Sequence, residues 1–239
     1  MALRDAWEAE AEAWIRWVRL PGHDSYDKFH REQFFGIVPE PGRLTVDVGC
    51  GEGRVARELM SRGHRVVGLD SSPTLVAAAR GFTPSVDARV ADASALPLED
   101  ASADLVVAFM VLHDVDELEG ATREIARILE AGGRLCAAIV HPLNSAGRFE
   151  SDAPDAAFRI QNSYLARYDY SDRVERDGLA MTFHSRHRPL ADYFAAFHAN
   201  GLVVEQLREP AVPERAASSP ATRRWQRMPL FLHIVARRT

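Results

Sequence analysis

The chain has 239 residues, 46% of them hydrophobic and 26% charged, and a formal net charge of -5. This length suits one domain, or one domain with a cap, around a sizeable core, and the composition is that of a soluble globular protein. The acidic balance argues against a nucleic-acid partner, the lack of a long apolar run against a membrane span, and the charged N-terminus against a signal peptide. Cys50 and Cys136 both fall in or beside predicted core strands. That placement predicts no disulfide framework and a reducing, cytoplasmic setting. No C-x-x-C or H-E-x-x-H spacing occurs, so no metal site is expected.

Residues 3–19 carry a helical stripe of Leu3, Trp7, Ala11, Trp14 and Val18. Trp17 falls off that stripe and is a candidate for lining a pocket. Pro21-Gly22 ends the helix, and a loop over 23–26 leads to a second helix over 27–37. From Arg43 strands and helices alternate. Strand 44–48 precedes a helix over 53–62 with Gly63 as its C-cap. Strand 65–69 ends at Asp70, and Ser71-Ser72-Pro73 opens a helix over 73–80. Strand 87–90 ends near Asp92. Strand 104–109, a helix over 117–130 and strand 134–140 follow. This alternation predicts a doubly wound parallel α/β sheet.

After residue 141 the rhythm breaks. A polar loop over 144–155 and a helix or turn near 156–163 precede two alternating runs, 164–174 and 179–187. Glu175-Arg176-Asp177-Gly178 joins them and reads as a hairpin turn. A helix over 189–199, strand 202–207 and strand 230–237 complete the chain. Residues 209–227, rich in Pro, Ala, Ser and Arg, read as a mobile loop with Arg223, Arg224 and Arg227 at the surface.

The most informative run is Leu44-Thr45-Val46-Asp47-Val48-Gly49-Cys50-Gly51-Glu52-Gly53-Arg54. A buried strand ends in an acid and then a tight turn with glycine at alternate positions. Glycine there permits positive φ and close approach of a ligand. A dinucleotide site asks for G-x-G-x-x-G, whereas this spacing is G-x-G-x-G, and no G-x-x-x-x-G-K-[ST] occurs. Asp47 would repel a pyrophosphate and suit a cationic ligand. A phosphate-free nucleoside bearing an ammonium fits, and S-adenosylmethionine (SAM) is such a ligand.

On these residues the chain resembles the class I SAM-dependent methyltransferases, specifically the small-molecule UbiE and Methyltransferase-11 type. The resemblance implies a Rossmann-like sheet of seven strands, mostly parallel with an antiparallel last strand, plus N-terminal helices and an inserted β-hairpin cap. It divides the chain into an N-terminal cap (1–40), a SAM-binding core (41–141), a substrate-side insertion (142–188) and a C-terminal completion of the sheet (189–239). It implies cofactor contacts from Asp47, Gly49, Cys50 and Gly51, from Asp70 and Ser71 at the ribose, and from Asp92 and Ala93 at the adenine. Phe109 and Met110 then lie beside the sulfonium, with Tyr26 covering the cofactor from the N-terminal side.

Acceptor chemistry is less legible. His113 and His141 are candidate general bases, because histidine titrates near neutral pH. Trp17, Tyr164, Tyr168, Phe183, His184 and Arg188 are candidates for substrate contact. The expected reaction is in-line methyl transfer to a nitrogen or oxygen of a small molecule, yielding S-adenosylhomocysteine (SAH). Oligomeric state stays open, with a homodimer as one option. Two rival readings also stay open: a nicotinamide-dependent oxidoreductase, and a SAM-binding protein with a non-methylating reaction or none.

Overall fold

The computed structural model describes residues 1–20 and 22–239. Pro21, the expected helix stop, lies outside them. Helix α1 spans Leu3–Arg19. A π-helical turn, Tyr26–His30, runs into α2 at Arg31–Phe35, where one regular helix over 27–37 is expected. The core then alternates as β1 (Thr45–Val48), α3 (Arg54–Ser61), β2 (Val66–Asp70), α4 (Pro73–Gly81), β3 (Asp87–Val90), β4 (Ala103–Phe109), α5 (Leu118–Ile128) and β5 (Leu129–Val140). Strand β5 starts earlier than its apolar run implies, because Leu129 already pairs with Ala103 and a bulge takes up the extra residues. The remainder is α6 (Pro142–Ala146), β6 (Gly147–Phe149), β7 (Phe158–Ile160), β8 (Tyr168–Arg176), β9 (Leu179–His187), α7 (Leu190–Ala199), β10 (Leu202–Arg208), α8 (Pro220–Arg223) and β11 (Phe231–Arg238).

Seven strands form one sheet in the order β10-β11-β5-β4-β1-β2-β3. Strands β1 to β5 pair in parallel, and β11 runs antiparallel to both β5 and β10. Side chains alternate across β4: Val106 and Ala108 join the core formed with α5 and α7. Leu105 and Val107 join the core formed with α2, α3 and α4. Burial on both faces explains why these strands read as near-continuous apolar runs. Their carboxyl ends collect at one edge of the sheet.

Three elements sit over that edge. Helix α1 is tied to α4 through Glu8, which accepts hydrogen bonds from the Ser72 and Thr74 hydroxyls. It is tied to β9 by the Trp7 indole N–H, which donates to the His184 carbonyl at 2.9 Å. The β8–β9 hairpin turns at Asp177 and Gly178, both at positive φ (52° and 77°), the geometry expected of Asp-Gly. The third element was not legible. Residues 147–160 form a short β6–β7 ribbon, so β7 stands where a helix or turn near 156–163 is expected.

Residues 209–227 are also more ordered than their composition implies. Val212, Ala216 and Ala217 bury an apolar cluster against Phe29 and Trp225. Ser219 and Thr222 form a capping box that opens α8. Trp225 packs edge-on against Phe149 at 4.8 Å. Arg223 and Arg227 are exposed as expected and Arg224 is half-buried, and each bonds to backbone carbonyls: Arg223 to Ala217, Arg224 to Ser151, and Arg227 to Pro154 and Ala156. Arg224 also pairs with Asp152.

Candidate functional site

A cavity of about 1160 Å³ opens at the carboxyl edge of the sheet. Its floor is the glycine turn after β1. Gly49 takes φ +70°, and a Cβ there would lie 2.3 Å from Val111 Cγ2. Gly51 takes φ +55°, and its nearest neighbour would be the Trp14 indole nitrogen at 3.6 Å. The first glycine is therefore demanded by packing. The second leaves bare backbone along the cavity, where a ligand can approach.

Asp70 closes β2 beside this turn. Its carboxylate accepts from the Gly51 N–H (2.8 Å) and the Ser72 N–H (2.9 Å). A carboxylate has about four lone-pair sites, so two remain for ligand hydroxyls. Burial pushes the Asp70 carboxyl above its ordinary range. Asp92, after β3, accepts from the Ser94 N–H and hydroxyl and lies 3.3 Å from Arg4 of α1. Gly49, Cys50, Gly51, Asp70, Ser71, Asp92, Ala93, Phe109, Met110 and Tyr26 all line this one cavity. Met110 turns with φ +57°.

Asp47 is the exception among the expected cofactor residues. It lies beneath the turn, 1% exposed and away from the cavity lining, with Oδ2 unpartnered among the described residues. Burial, aided by repulsion from Asp70, pushes its carboxyl up to about 8. Residues alternate across a strand, and Asp47 falls on the side that α3 covers.

The acceptor candidates divide. Trp17, Tyr168 and Phe183 line the cavity. Phe183 meets Trp7, Trp14 and Trp17 edge-on at 6.4, 6.0 and 6.3 Å between ring centres. The Tyr168 hydroxyl donates to the Ser145 carbonyl. Tyr164, His184 and Arg188 lie off the lining. The Tyr164 hydroxyl accepts from the Leu190 N–H. His184 points to the outer face of the hairpin and pairs with Ser171 there. Arg188 is buried and donates to the Leu112, Val115 and Asp116 carbonyls, so it braces the loop after β4.

The two candidate bases part in the same way. His141 lies off the lining, with both ring nitrogens in use: Nδ1 accepts from the Leu143 N–H as the cap of α6, and Nε2 meets Glu209 at 2.9 Å. Its role is to close the turn after β5. His113 lines the cavity, and burial together with Arg188 drives its imidazole down to about 3. It is therefore neutral at physiological pH and a weak base towards a ground-state acceptor.

Residues passed over in the sequence also reach the cavity. His30 does so from the π-helical turn, and Phe149 and Trp225 from the ribbon and the segment before β11. Arg176, at the hairpin tip, donates to the Gly22 and His23 carbonyls at 2.8 Å each and latches the hairpin to the N-terminal loop. A histidine inside a helical pattern carries no signal that distinguishes core from pocket.

Comparison with known proteins agrees with this geometry. Residues 46–137 match the family described as Methyltransferase domain. An uncharacterized methyltransferase of Mycobacterium tuberculosis is 35% identical over 99 residues, 41% of this chain and 40% of that protein. The ubiquinone/menaquinone biosynthesis C-methyltransferase UbiE of Rubrivivax gelatinosus is 34% identical over 144 residues, 54% of this chain and 57% of that protein. The matched stretch thus spans about two-fifths of the mycobacterial relative's length. The crystal structure of an S-adenosylmethionine dependent methyltransferase from Mesorhizobium loti superimposes with a TM-score of 0.71 at 25% identity, covering 87% of this chain and 96% of that one.

Proposed function

We propose that this chain, whose fold and central domain are those of the class I SAM-dependent methyltransferases, transfers a methyl group from SAM to a nitrogen or oxygen of a small-molecule acceptor. The observation that carries the reading is one continuous cavity. Bare glycine backbone, Asp70 and Asp92 lie along its floor, and aromatic side chains line its other half. The residues present fit the cofactor. Gly51 leaves room for it, Asp70 keeps lone pairs free for ribose hydroxyls, and Asp92 is placed for the adenine edge. Asp47 supports the floor from below. Bound there, SAM would supply an electrophilic methyl on its sulfonium for transfer to the acceptor, with SAH as the leaving group.

What the chain itself contributes is position and the exclusion of water. Helix α1 and the hairpin roof the site, and Phe183 with the three tryptophans dries its mouth. The acidic net charge favours a small acceptor over a nucleic acid. Two buried, unpaired cysteines favour a cytoplasmic setting. A thermal-shift series with SAM, SAH, NAD and NADP tests the cofactor, and release of SAH across a library of small acceptors tests the reaction. Stabilisation by SAM and SAH is expected. Stabilisation by NAD alone would overturn the reading.

A further inference from the structure

We infer that Asp114 is the seat of an amine nitrogen of the acceptor and takes the proton that this nitrogen must lose before it can be methylated. The inference rests on the methyltransferase reading and narrows it to nitrogen. Asp114 stands in the loop after β4, four residues beyond Met110, and lines the cavity. Its side chain is 11% exposed, so an approach from the cavity is open. Oδ1 meets the Ser185 hydroxyl at 2.7 Å and His113 Nε2 at 3.4 Å. Oδ2 has no protein partner among the described residues, and it is not one of the fully enclosed polar atoms that lack one. It is the part of the carboxyl that a ligand can reach.

The charges on the cavity wall favour a cation at this point. Arg4, Arg54 and Arg224 are paired with Asp92, Asp24 and Asp152. Arg176 donates to two carbonyls, and Arg148 to the side-chain oxygen of Gln161. Asp114 has no arginine within ion-pair reach among the described residues. Neither has Asp172, which lines the same cavity from the inner face of the hairpin. A charged carboxylate in so closed a place is costly without a counter-charge, and a bound ammonium supplies one. An acceptor carboxylate would meet like charge there. An alcohol would offer a hydrogen bond without the charge.

The titratable and charged groups facing Asp114 are His113 beside it, Tyr170 of β8, Tyr193 of α7 and Arg188 after β9. Of these only Arg188 is charged, and loop carbonyls hold it. Burial outweighs both Arg188 and the Ser185 hydrogen bond and lifts the Asp114 carboxyl well above its usual range. The empty site therefore keeps a proton on Asp114 past the range in which an exposed aspartate loses it. An amine in water carries its own proton as an ammonium. The bound pair shares a single proton, so binding releases the other. That proton sits either on the amine, facing a carboxylate, or on the carboxyl, facing a neutral amine. In the second form the electrons of the broken N–H bond stay on nitrogen as the lone pair that a methyl acceptor needs. The high proton affinity of a buried carboxyl favours that form. The balance is the same whether Ser185 donates to Asp114 or accepts from it.

The test uses the full chain saturated with SAH at about pH 6, with benzylamine, benzyl alcohol and benzoate as probes read by calorimetry. Benzylamine should bind at least about tenfold more tightly than benzyl alcohol, the worth of one hydrogen bond to a charged group, and benzoate more weakly than either. Buffers of different ionisation enthalpy should show about one proton released with benzylamine and none with benzyl alcohol. Asp114→Asn keeps the shape of the side chain and an acceptor for Ser185. With its fold checked by circular dichroism, it should lose both the amine preference and the proton release. The comparison of probes on the native chain stands even where the variant fails to fold. Equal binding of amine and alcohol, tighter binding of benzoate, no binding of benzylamine, or an amine preference that survives Asp114→Asn would each overturn the seat. Binding of benzylamine without proton release would overturn the role of Asp114 as base. Failure of SAH to bind the native chain would overturn the methyltransferase reading instead.

Discussion

Asp47 shows how one residue couples floor chemistry to stability. Its folded carboxyl titrates near 8, against about 4 in an unfolded chain. Between those values the folded state holds a proton that the unfolded state has lost. Stability therefore falls as pH rises from about 4 to about 8, by at most about 1.4 kcal/mol per pH unit. Asp47→Asn removes that slope. The melting temperature of the ligand-free variant should exceed that of the native chain at pH 8, by roughly 2–4 °C per kcal/mol recovered. Matching melting curves from pH 5 to 9 would show that Asp47 is ionised in the fold. Asp70 has the opposite character, because it lines the cavity with lone pairs to spare. Asp70→Ala should weaken SAM binding about a hundredfold or more by calorimetry, since hydrogen bonds to a charged group contribute about 1.5–3 kcal/mol each. The far-UV circular dichroism should not change.

At the scale of elements, the roof is where sequence and structure part. The hairpin was legible because Asp-Gly between alternating runs dictates both turn and register. Its register in turn puts Tyr168, Tyr170 and Asp172 on one face with Phe183 and Ser185. The β6–β7 ribbon and the segment over 209–227 were not legible. Each is too short for a period to show, and each is held by contacts between distant residues, such as Trp225 on Phe149. The core strands and the acids at their ends could be read because a parallel sheet imposes apolar runs and fixes where its carboxyl edge falls. Asp47, His141, Tyr164, His184 and Arg188 fall off the lining because strand position alone does not tell floor from lining, nor cap from base. Two expectations test the roof. Phe183→Ala should let water reach the tryptophans and shift their fluorescence to longer wavelength, with SAM affinity changed less than the emission. Arg176→Ala removes both carbonyl contacts that latch the hairpin tip. Limited proteolysis at residues 177–178 should then quicken several-fold in the ligand-free protein, whereas unchanged cleavage would mean that the hairpin is held by its packing on α1 and by His23 at Asp177.

For the whole molecule, the cavity joins parts that the sheet alone does not. Helix α1 reaches three of them. Its Leu3 N–H donates to Asp116 after β4, Glu8 receives Ser72 and Thr74 at the start of α4, and Glu10 receives the Thr182 N–H of β9. A ligand that binds only the folded chain at a hundred times its dissociation constant adds about 2.7 kcal/mol of stability. That stability is not spread evenly, because the central strands already open only with global unfolding. The gain should concentrate in the roof. Hydrogen exchange with and without SAH should show added protection in α1, in residues 22–30 and in the hairpin, with little change in β1, β4 and β5. Glu8→Ala removes the hydrogen bonds that tie α1 to α4 while leaving their apolar packing and the glycine turn intact. It should reduce the ligand-dependent protection of α1 and raise the SAH dissociation constant, by roughly five- to fifty-fold for about 1–2 kcal/mol of lost closure. Protection spread evenly over the sheet, or unchanged affinity in Glu8→Ala, would show that the roof is closed before the ligand arrives.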